Sequence, residues 1–160
     1  MIGAVNGAAM TGGFELALQC DFLVASDRAR FADTHARVGV VPGGGMSTLL
    51  PARIGFAKAV QLSLTARPLD AQEALAWGLV TFVVPHDDLL AFTRELAAQV
   101  VATDPAARRA ILRLYRQNAM TTPGDAWDNE TADFVAFRAT FDPAKVRDPR
   151  APEPTGDARR

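Results

Sequence analysis

Gly12 and Gly13 stand just ahead of Glu15 in the stretch "NGAAMTGGFELALQCD", residues 6 to 21, where an apolar, helix-periodic run begins. A glycine pair opening a helix lets backbone N–H groups come close to an anion. A carboxylate within the next turn can take or give a proton at the same place. Together these residue types suit chemistry in which negative charge develops on a small molecule while a proton moves. Plainer readings compete with this one. The glycines can simply relieve close packing of a helix on a strand, and Glu15 can be a solvated partner of the helix dipole. A second segment of interest, "ADTHARVGVVPGGG" at 32–45, has no regular period and the composition of a functional loop. Its continuation "PGGGMST" resembles a phosphate-binding loop but lacks the lysine before Ser or Thr, which argues against nucleotide hydrolysis.

These residues need a scaffold, and the apolar pattern outlines one. "MIGAVNG" reads as a short buried strand closed by the turn dipeptide Asn6-Gly7, which accepts positive φ. Phe14, Leu16, Ala17 and Leu18 predict a compact helix ending near Cys20 and Asp21. "FLVAS" is a second strand and "ARF" at 29–31 a brief third. Pro42 and Gly43 to Gly45 form a loop, and "MSTLLPARIG" is a helix that Pro51 is expected to break into two turns. "FAKAVQLSLTA" is amphipathic, with Phe56, Ala59, Val60, Leu62 and Leu64 largely on one side. Asp70 and Glu73 have capping-box spacing, and that helix closes at Gly78. "LVTFVV" is a strand ended by Pro85; helices follow over about 87–102, 105–119 and 123–140. The last stretch, from Asp142, holds mixed charge, prolines and almost no large apolar residues, so disorder is expected there.

The totals limit the partners. A chain of 160 residues with 49% hydrophobic and 22% charged residues can bury a core. A net charge of −1 without a basic block gives no reason to expect nucleic acid or an anionic membrane as partner. One cysteine, Cys20, and two histidines offer neither an internal disulfide nor a zinc-spaced cluster, so a reducing compartment and no structural metal are expected. The apolar runs are too short to span a bilayer and the first fifteen residues lack a signal-peptide pattern, which points to a soluble, cytoplasmic protein. Cys20, Trp77, Trp127 and Phe134 read as packing residues, and His86 as a strand-to-helix junction without a chemical task.

The stretches "AVNGAAMTGGFELALQCDFLVAS", "ARFADTHARVGVVPGGGMSTLLPARIG" and "ARPLDAQEALAWGLVTFVVP" resemble the crotonase superfamily, the enoyl-CoA hydratase/isomerase family. The resemblance runs from Met1 to about Pro85. It implies an α/β chain with the ClpP/crotonase-like β-β-α spiral, of which 1–85 form the C-terminal part. Residues 86–141 are then a helical oligomerisation region, with assembly as a homotrimer or hexamer, and 142–160 a disordered tail. It also implies an acyl-CoA thioester as substrate, with coenzyme A part of that substrate and no separate cofactor, and a place in fatty acid metabolism such as β-oxidation. The family's chemistry is enolate stabilisation, in which the thioester oxygen is held by two backbone N–H groups.

By that resemblance Gly12 is the second glycine of the family's triplet and supplies an oxyanion N–H, while Thr11 replaces the first glycine and Gly13 is the third, both in the substrate-binding turn. Thr11 does no harm there if its dihedrals suit a non-glycine residue. Glu15 matches the first of two catalytic glutamates. The second position, twenty residues on, is His35, a departure from the hydratase pattern; an imidazole there can still hold a water or move a proton. Asp33 and Thr34 are placed to orient it, although turn and cap duties also explain them. The family's other oxyanion donor and much of its CoA surface come from a segment preceding "AVNG", which this sequence lacks. The first sheet is therefore expected to have an unpaired edge and an uncovered apolar face. Two readings stay open: an acyl-CoA hydratase or isomerase, and a truncated, non-catalytic remnant or oligomerisation partner.

Overall fold

The computed structural model describes residues 1–119, 121–140 and 142. The expected tail beyond Asp142 lies outside them. Contacts divide the chain into one unit, Met1–Ala102, and a second from Thr103 onward.

In the first unit β1 (Ile2–Val5), β3 (Phe22–Ser26) and β6 (Phe82–Val84) form a parallel sheet in the order β1-β3-β6, with Ile2 opposite Phe22 and Val24 opposite Phe82. A second sheet has the order β2-β4-β5, made by β2 (Ala8–Met10), β4 (Arg30–Ala32) and β5 (Leu69–Asp70). β2 and β4 run parallel, β4 and β5 antiparallel. Among the described residues β1 and β2 are each paired on one side only, so the expected unpaired edge is present. Neither β2 nor β5 is foreseen from the sequence. β2 is three residues of Ala and Met without a β-branched side chain, and β5 ends on the same Asp70 that caps the next helix. Asn6-Gly7 also differs from expectation: neither residue has positive φ, because the chain passes straight from β1 into β2.

The helices α1 (Gly12–Leu18), α2 (Met46–Ile54), α3 (Phe56–Thr65) and α4 (Ala71–Ala76) pack around the strands. Phe14 and Leu18 from α1, Leu23 from β3, Phe31 from β4, Leu50 from α2 and Leu62 from α3 are buried in one core, with the Phe14 and Phe31 ring centroids 5.5 Å apart. Buried Cys20 belongs to it, and Trp77 packs on its edge between Lys58 and Arg67. Pro51 does not break α2, which runs unbroken from Met46 to Ile54. The proline sits near the middle of a short helix, so only one internal N–H bond is forgone before the helix ends at Gly55. The capping box forms as expected: the Glu73 N–H donates to Asp70 Oδ1 at 2.8 Å, and α4 gives way to Gly78 at φ 78°. The strand expected over "LVTFVV" is only β6, since Leu79 and Val80 are buried in the connection instead. His86 begins a 3₁₀ turn that leads into α5 (Leu89–Ala102), and its Nδ1 lies 3.0 Å from Ser26 Oγ. α5 packs on β1 and β3 and so belongs to the first unit.

In the second unit α6 (Pro105–Asn118) is capped by Asp104, which accepts from the N–H groups of Ala106 and Ala107. α7 (Pro123–Ala139) is capped by Thr122, and the two helices meet through Asn118 and Asn129. Trp127 and Phe134, expected as packing residues, are exposed at 73% and 63%.

α3 departs most usefully from its sequence reading. Its apolar residues do not form one buried face: Ala59 and Leu62 enter the core, while Phe56 and Leu64 are exposed at 76% and 73%. The outer set faces a cavity instead.

Candidate active site

β2 delivers the chain to Thr11, whose N–H donates to Ala32 O of β4 at 2.9 Å. α1 then begins, its first internal bond running from Glu15 N–H to Thr11 O at 3.0 Å, so the N–H of Gly12 lies ahead of the helical ladder. Gly12 and Gly13 are exposed, and a Cβ built on either meets nothing within 4 Å. Close packing therefore does not explain the pair; there is open space above the turn.

Thr11 does not meet the condition set for it. Its φ of 50° and ψ of −114° belong to a turn position that favours glycine. Three contacts hold it there: the bond to Ala32, the bond from Glu15, and a hydroxyl contact with Thr34. A non-glycine residue in such a region costs on the order of 1–3 kcal/mol. Thr11→Gly relieves that cost but gives up the Thr34 contact, whereas Thr11→Ala gives up the contact and keeps the strain. In urea melts the glycine variant is expected to be more stable than the alanine variant by about 1–2 kcal/mol; equal midpoints would mean the backbone is not strained.

Glu15 is buried, and its Oε1 accepts from the Gly44 N–H at 2.7 Å and the Met46 N–H at 3.4 Å. Gly44 is chosen for space: a Cβ there would stand 2.7 Å from Glu15 Oε2 and 2.9 Å from its Cδ. Gly45, at φ 101°, then turns the chain into α2. The glycine run read as a failed phosphate loop thus holds a carboxylate, not a phosphate.

The other oxygen of Glu15, Oε2, lies 3.9 Å from Nε2 of His35, which is also buried. At that distance the two are not directly hydrogen-bonded, and a single water lying to one side of the line between them can hydrogen-bond to both. Nδ1 of His35 is 2.6 Å from Asp33 Oδ1, the same oxygen that accepts the His35 backbone N–H at 3.1 Å. Asp33 therefore performs both the turn duty and the orienting duty considered for it, while Thr34 turns away to Thr11. Asp33 is 2% exposed. Burial opposes its charge, but the Ser63 hydroxyl of α3, the His35 backbone N–H and the His35 ring outweigh it and hold the carboxyl below its ordinary value of 3.8. Stability from Asp33 is therefore present in full above pH 3.8 and lost as pH falls through the lower folded value. Between pH 5 and pH 3 the native chain is expected to lose more stability than Asp33→Asn does, measured by urea midpoints.

A cavity of about 360 Å³ opens beside these groups. Asp33 and His35 line it, with Met46, Val41, Phe56 and Leu64 among its apolar lining, while Glu15 stands behind His35 and is not part of the lining. The structure thus brings Glu15, His35 and Asp33 together and ties Thr11 to their loop, while Gly12 and Gly13 lie exposed at the head of α1. The backbone N–H groups of Gly44 and Met46 and the side chain of Ser63 were not foreseen as site groups. The spacing of the glycine run before α2 is the one signal in the sequence that points to the first two. Among the described residues no group of His, Cys, Asp or Glu has the arrangement of a metal site, and no helix is long and apolar enough to cross a membrane.

The model of a family described as enoyl-CoA hydratase/isomerase matches residues 1–149. The chain belongs to that family. It is 45% identical over 116 residues to a carnitinyl-CoA dehydratase of Citrobacter koseri, covering 72% of this chain and 44% of that protein. Among solved structures, an enoyl-CoA hydratase subunit I from Geobacillus kaustophilus superimposes with a TM-score of 0.83 at 35% identity, over 87% of this chain and 54% of that one. An enoyl-CoA hydratase from Mycobacterium smegmatis gives 0.72 at 50% identity, over 86% of this chain and 64% of that one. The fold is that of the crotonases, and the chain spans less than half the length of the curated relatives it matches.

Proposed function

We propose that the chain acts on unsaturated acyl-CoA thioesters, reversibly adding water across C2 and C3 through an enolate. The observation that carries this reading is the buried Glu15, fixed at one oxygen by Gly44 and Met46, with its second oxygen 3.9 Å from His35 Nε2 beside an apolar cavity. A carboxylate and an imidazole spaced to share one water suit attack at C3 and proton delivery at C2. The Gly12 N–H is the oxyanion donor of this scheme, Thr11 and Gly13 shape the turn that presents it, and the apolar wall receives the acyl chain. Relatives named for hydration and for dehydration fit one reversible reaction. Double-bond migration is the second reading, favoured by one fact: Asp33 is committed to His35 Nδ1, which leaves Glu15 as the carboxylate able to carry a proton between carbons.

Coenzyme A enters as part of the substrate. Assembly as a trimer or a pair of trimers belongs to the same proposal, supported by the exposed Trp127 and Phe134 of the second unit. So do a role in fatty acid breakdown and a cytoplasmic site of action.

Thermal melts with and without excess short 2-enoyl-CoA test the reading. Ligand at a hundred times its Kd adds about 2.7 kcal/mol to the native state, so Tm is expected to rise by about 5–10 °C. A transition indifferent to the thioester would favour the other reading, a non-catalytic remnant or assembly partner.

A further inference from the structure

We infer that Asp33 is a positioning residue that fixes His35 as the Nδ1–H tautomer, so that His35 enters the reaction as a proton acceptor at Nε2. The inference rests on the functional reading above and deepens it. Two carboxylates face the imidazole, one at each nitrogen. Asp33 Oδ1 is 2.6 Å from Nδ1, and Glu15 Oε2 is 3.9 Å from Nε2. The near contact is a hydrogen bond, and a carboxylate can only accept, so Nδ1 carries the proton. In water a neutral imidazole prefers its proton on the other nitrogen; here the Asp33 bond reverses that preference and exposes the Nε2 lone pair on the Glu15 side.

Asp33 is well placed to impose this. Its oxygen is tied by the His35 backbone N–H at 3.1 Å, which stops the carboxylate from rotating away, and Ser63 of α3 lines the same cavity as Asp33. The division of labour follows. Nε2 takes a proton from the water as its oxygen bonds to C3 and the C2–C3 π electrons move into the enolate. The imidazolium is stabilised by an Asp33 that stays ionised. As the enolate collapses C2 gains a proton, passed on from Nε2 by way of Glu15 Oε2, which restores the neutral ring. His35 thus cycles between neutral and cationic forms without exchanging a proton with Asp33. Glu15, held at Oε1 by backbone N–H groups, contributes through Oε2 alone.

The test reads the tautomer directly. The chain holds two histidines, so His86→Gln, at a position outside the site, leaves His35 as the sole imidazole. Long-range ¹⁵N–¹H correlation spectra of the labelled full chain, at a pH where the ring is neutral, are expected to show Nδ1 protonated and Nε2 bare. Asp33→Ala is expected to return the ring to the Nε2–H form and to lower kcat at least ~10-fold with KM unchanged. A ring that already carries its proton on Nε2 in the His86→Gln chain would overturn the inference, and this holds even if Asp33→Ala fails to fold. An Nδ1–H ring that persists in folded Asp33→Ala would overturn it too. Because the spectra need no substrate, the expected tautomer in a chain whose melt ignores 2-enoyl-CoA would sink the functional reading and leave the positioning by Asp33 standing.

Discussion

Glu15→Gln is expected to lower the turnover of a short 2-enoyl-CoA by about 10²–10⁴-fold, the usual contribution of a positioned acid or base. The fold should survive. Glutamine has the same shape, and its carbonyl can still accept the Gly44 and Met46 N–H groups that now hold Oε1. The amide nitrogen then replaces Oε2 beside His35, where it can donate but cannot accept or carry a proton. Stability should change by no more than about 1 kcal/mol, because the buried partners keep their bonds. Paired turnover assays and urea melts separate the two effects. A variant that loses turnover only in proportion to its stability would assign Glu15 a structural task; one that keeps turnover would remove it from the mechanism.

Gly44→Ala carries the second large effect, and it acts on Glu15 without touching its chemistry. A methyl group at that position would stand 2.7 Å from Oε2, 2.9 Å from Cδ and 3.1 Å from Cβ of Glu15. Contacts that short force a shift, either of the carboxylate or of the loop whose N–H holds it. The loop is not free to retreat cheaply, because Gln19 Nε2 donates to Gly44 O at 2.8 Å and Gly45 must keep its positive φ to start α2. Overpacking of this kind costs about 1–3 kcal/mol. Displacing a reacting group by about 1 Å can cost on the order of 10²-fold in rate. Gly43→Ala is the control, since a Cβ there meets nothing within 4 Å. The two variants are expected to differ in turnover by about 10²-fold. Equal rates would show that the loop yields and that Gly44 does not set the position of Glu15.

How far the site could be read ahead of the structure depended on the kind of interaction. Glu15 and the glycine pair stood out by spacing, and the family resemblance singled out His35 at the second acid/base position. The contact between them joins residues twenty apart through a loop of no regular period, so no periodic signal announces it. Asp33 was ambiguous because an Asp in a loop commonly caps a turn; the structure shows one oxygen doing that and holding the imidazole as well. The role of Gly44 is not legible in the sequence, since the missing lysine argues against nucleotide hydrolysis but spacing alone does not say that a glycine run clears room for a carboxylate.

The fold shows the same division. α1, β3 and the capped helix α4 follow from local pattern and cap chemistry, and they lie where that pattern put them. β2 and β5 exist because tertiary pairing with β4 stabilises segments with no strand propensity of their own. α3 misled through its composition: hydrophobic residues on two faces looked like one buried face, although part of the set lines the cavity rather than the core. A surplus of apolar residues on a helix is itself a signal of a binding wall, but it can be recognised only once the core has claimed its share.

In the proposed reaction Glu15 and His35 draw a proton from the carbon next to a thioester carbonyl, and the Gly12 N–H stabilises the resulting enolate. Deuterium entry at C2 of a saturated short acyl-CoA in D₂O, followed by mass spectrometry, tests it without depending on whether water addition or double-bond migration follows. The native chain is expected to exchange the C2 proton well above the buffer rate, and the Glu15→Gln/His35→Ala double variant to fall to that rate. Exchange no faster than in buffer, with a thioester that demonstrably raises the melting temperature, would show a site that binds but forms no enolate, and would rule out enolate chemistry for this chain.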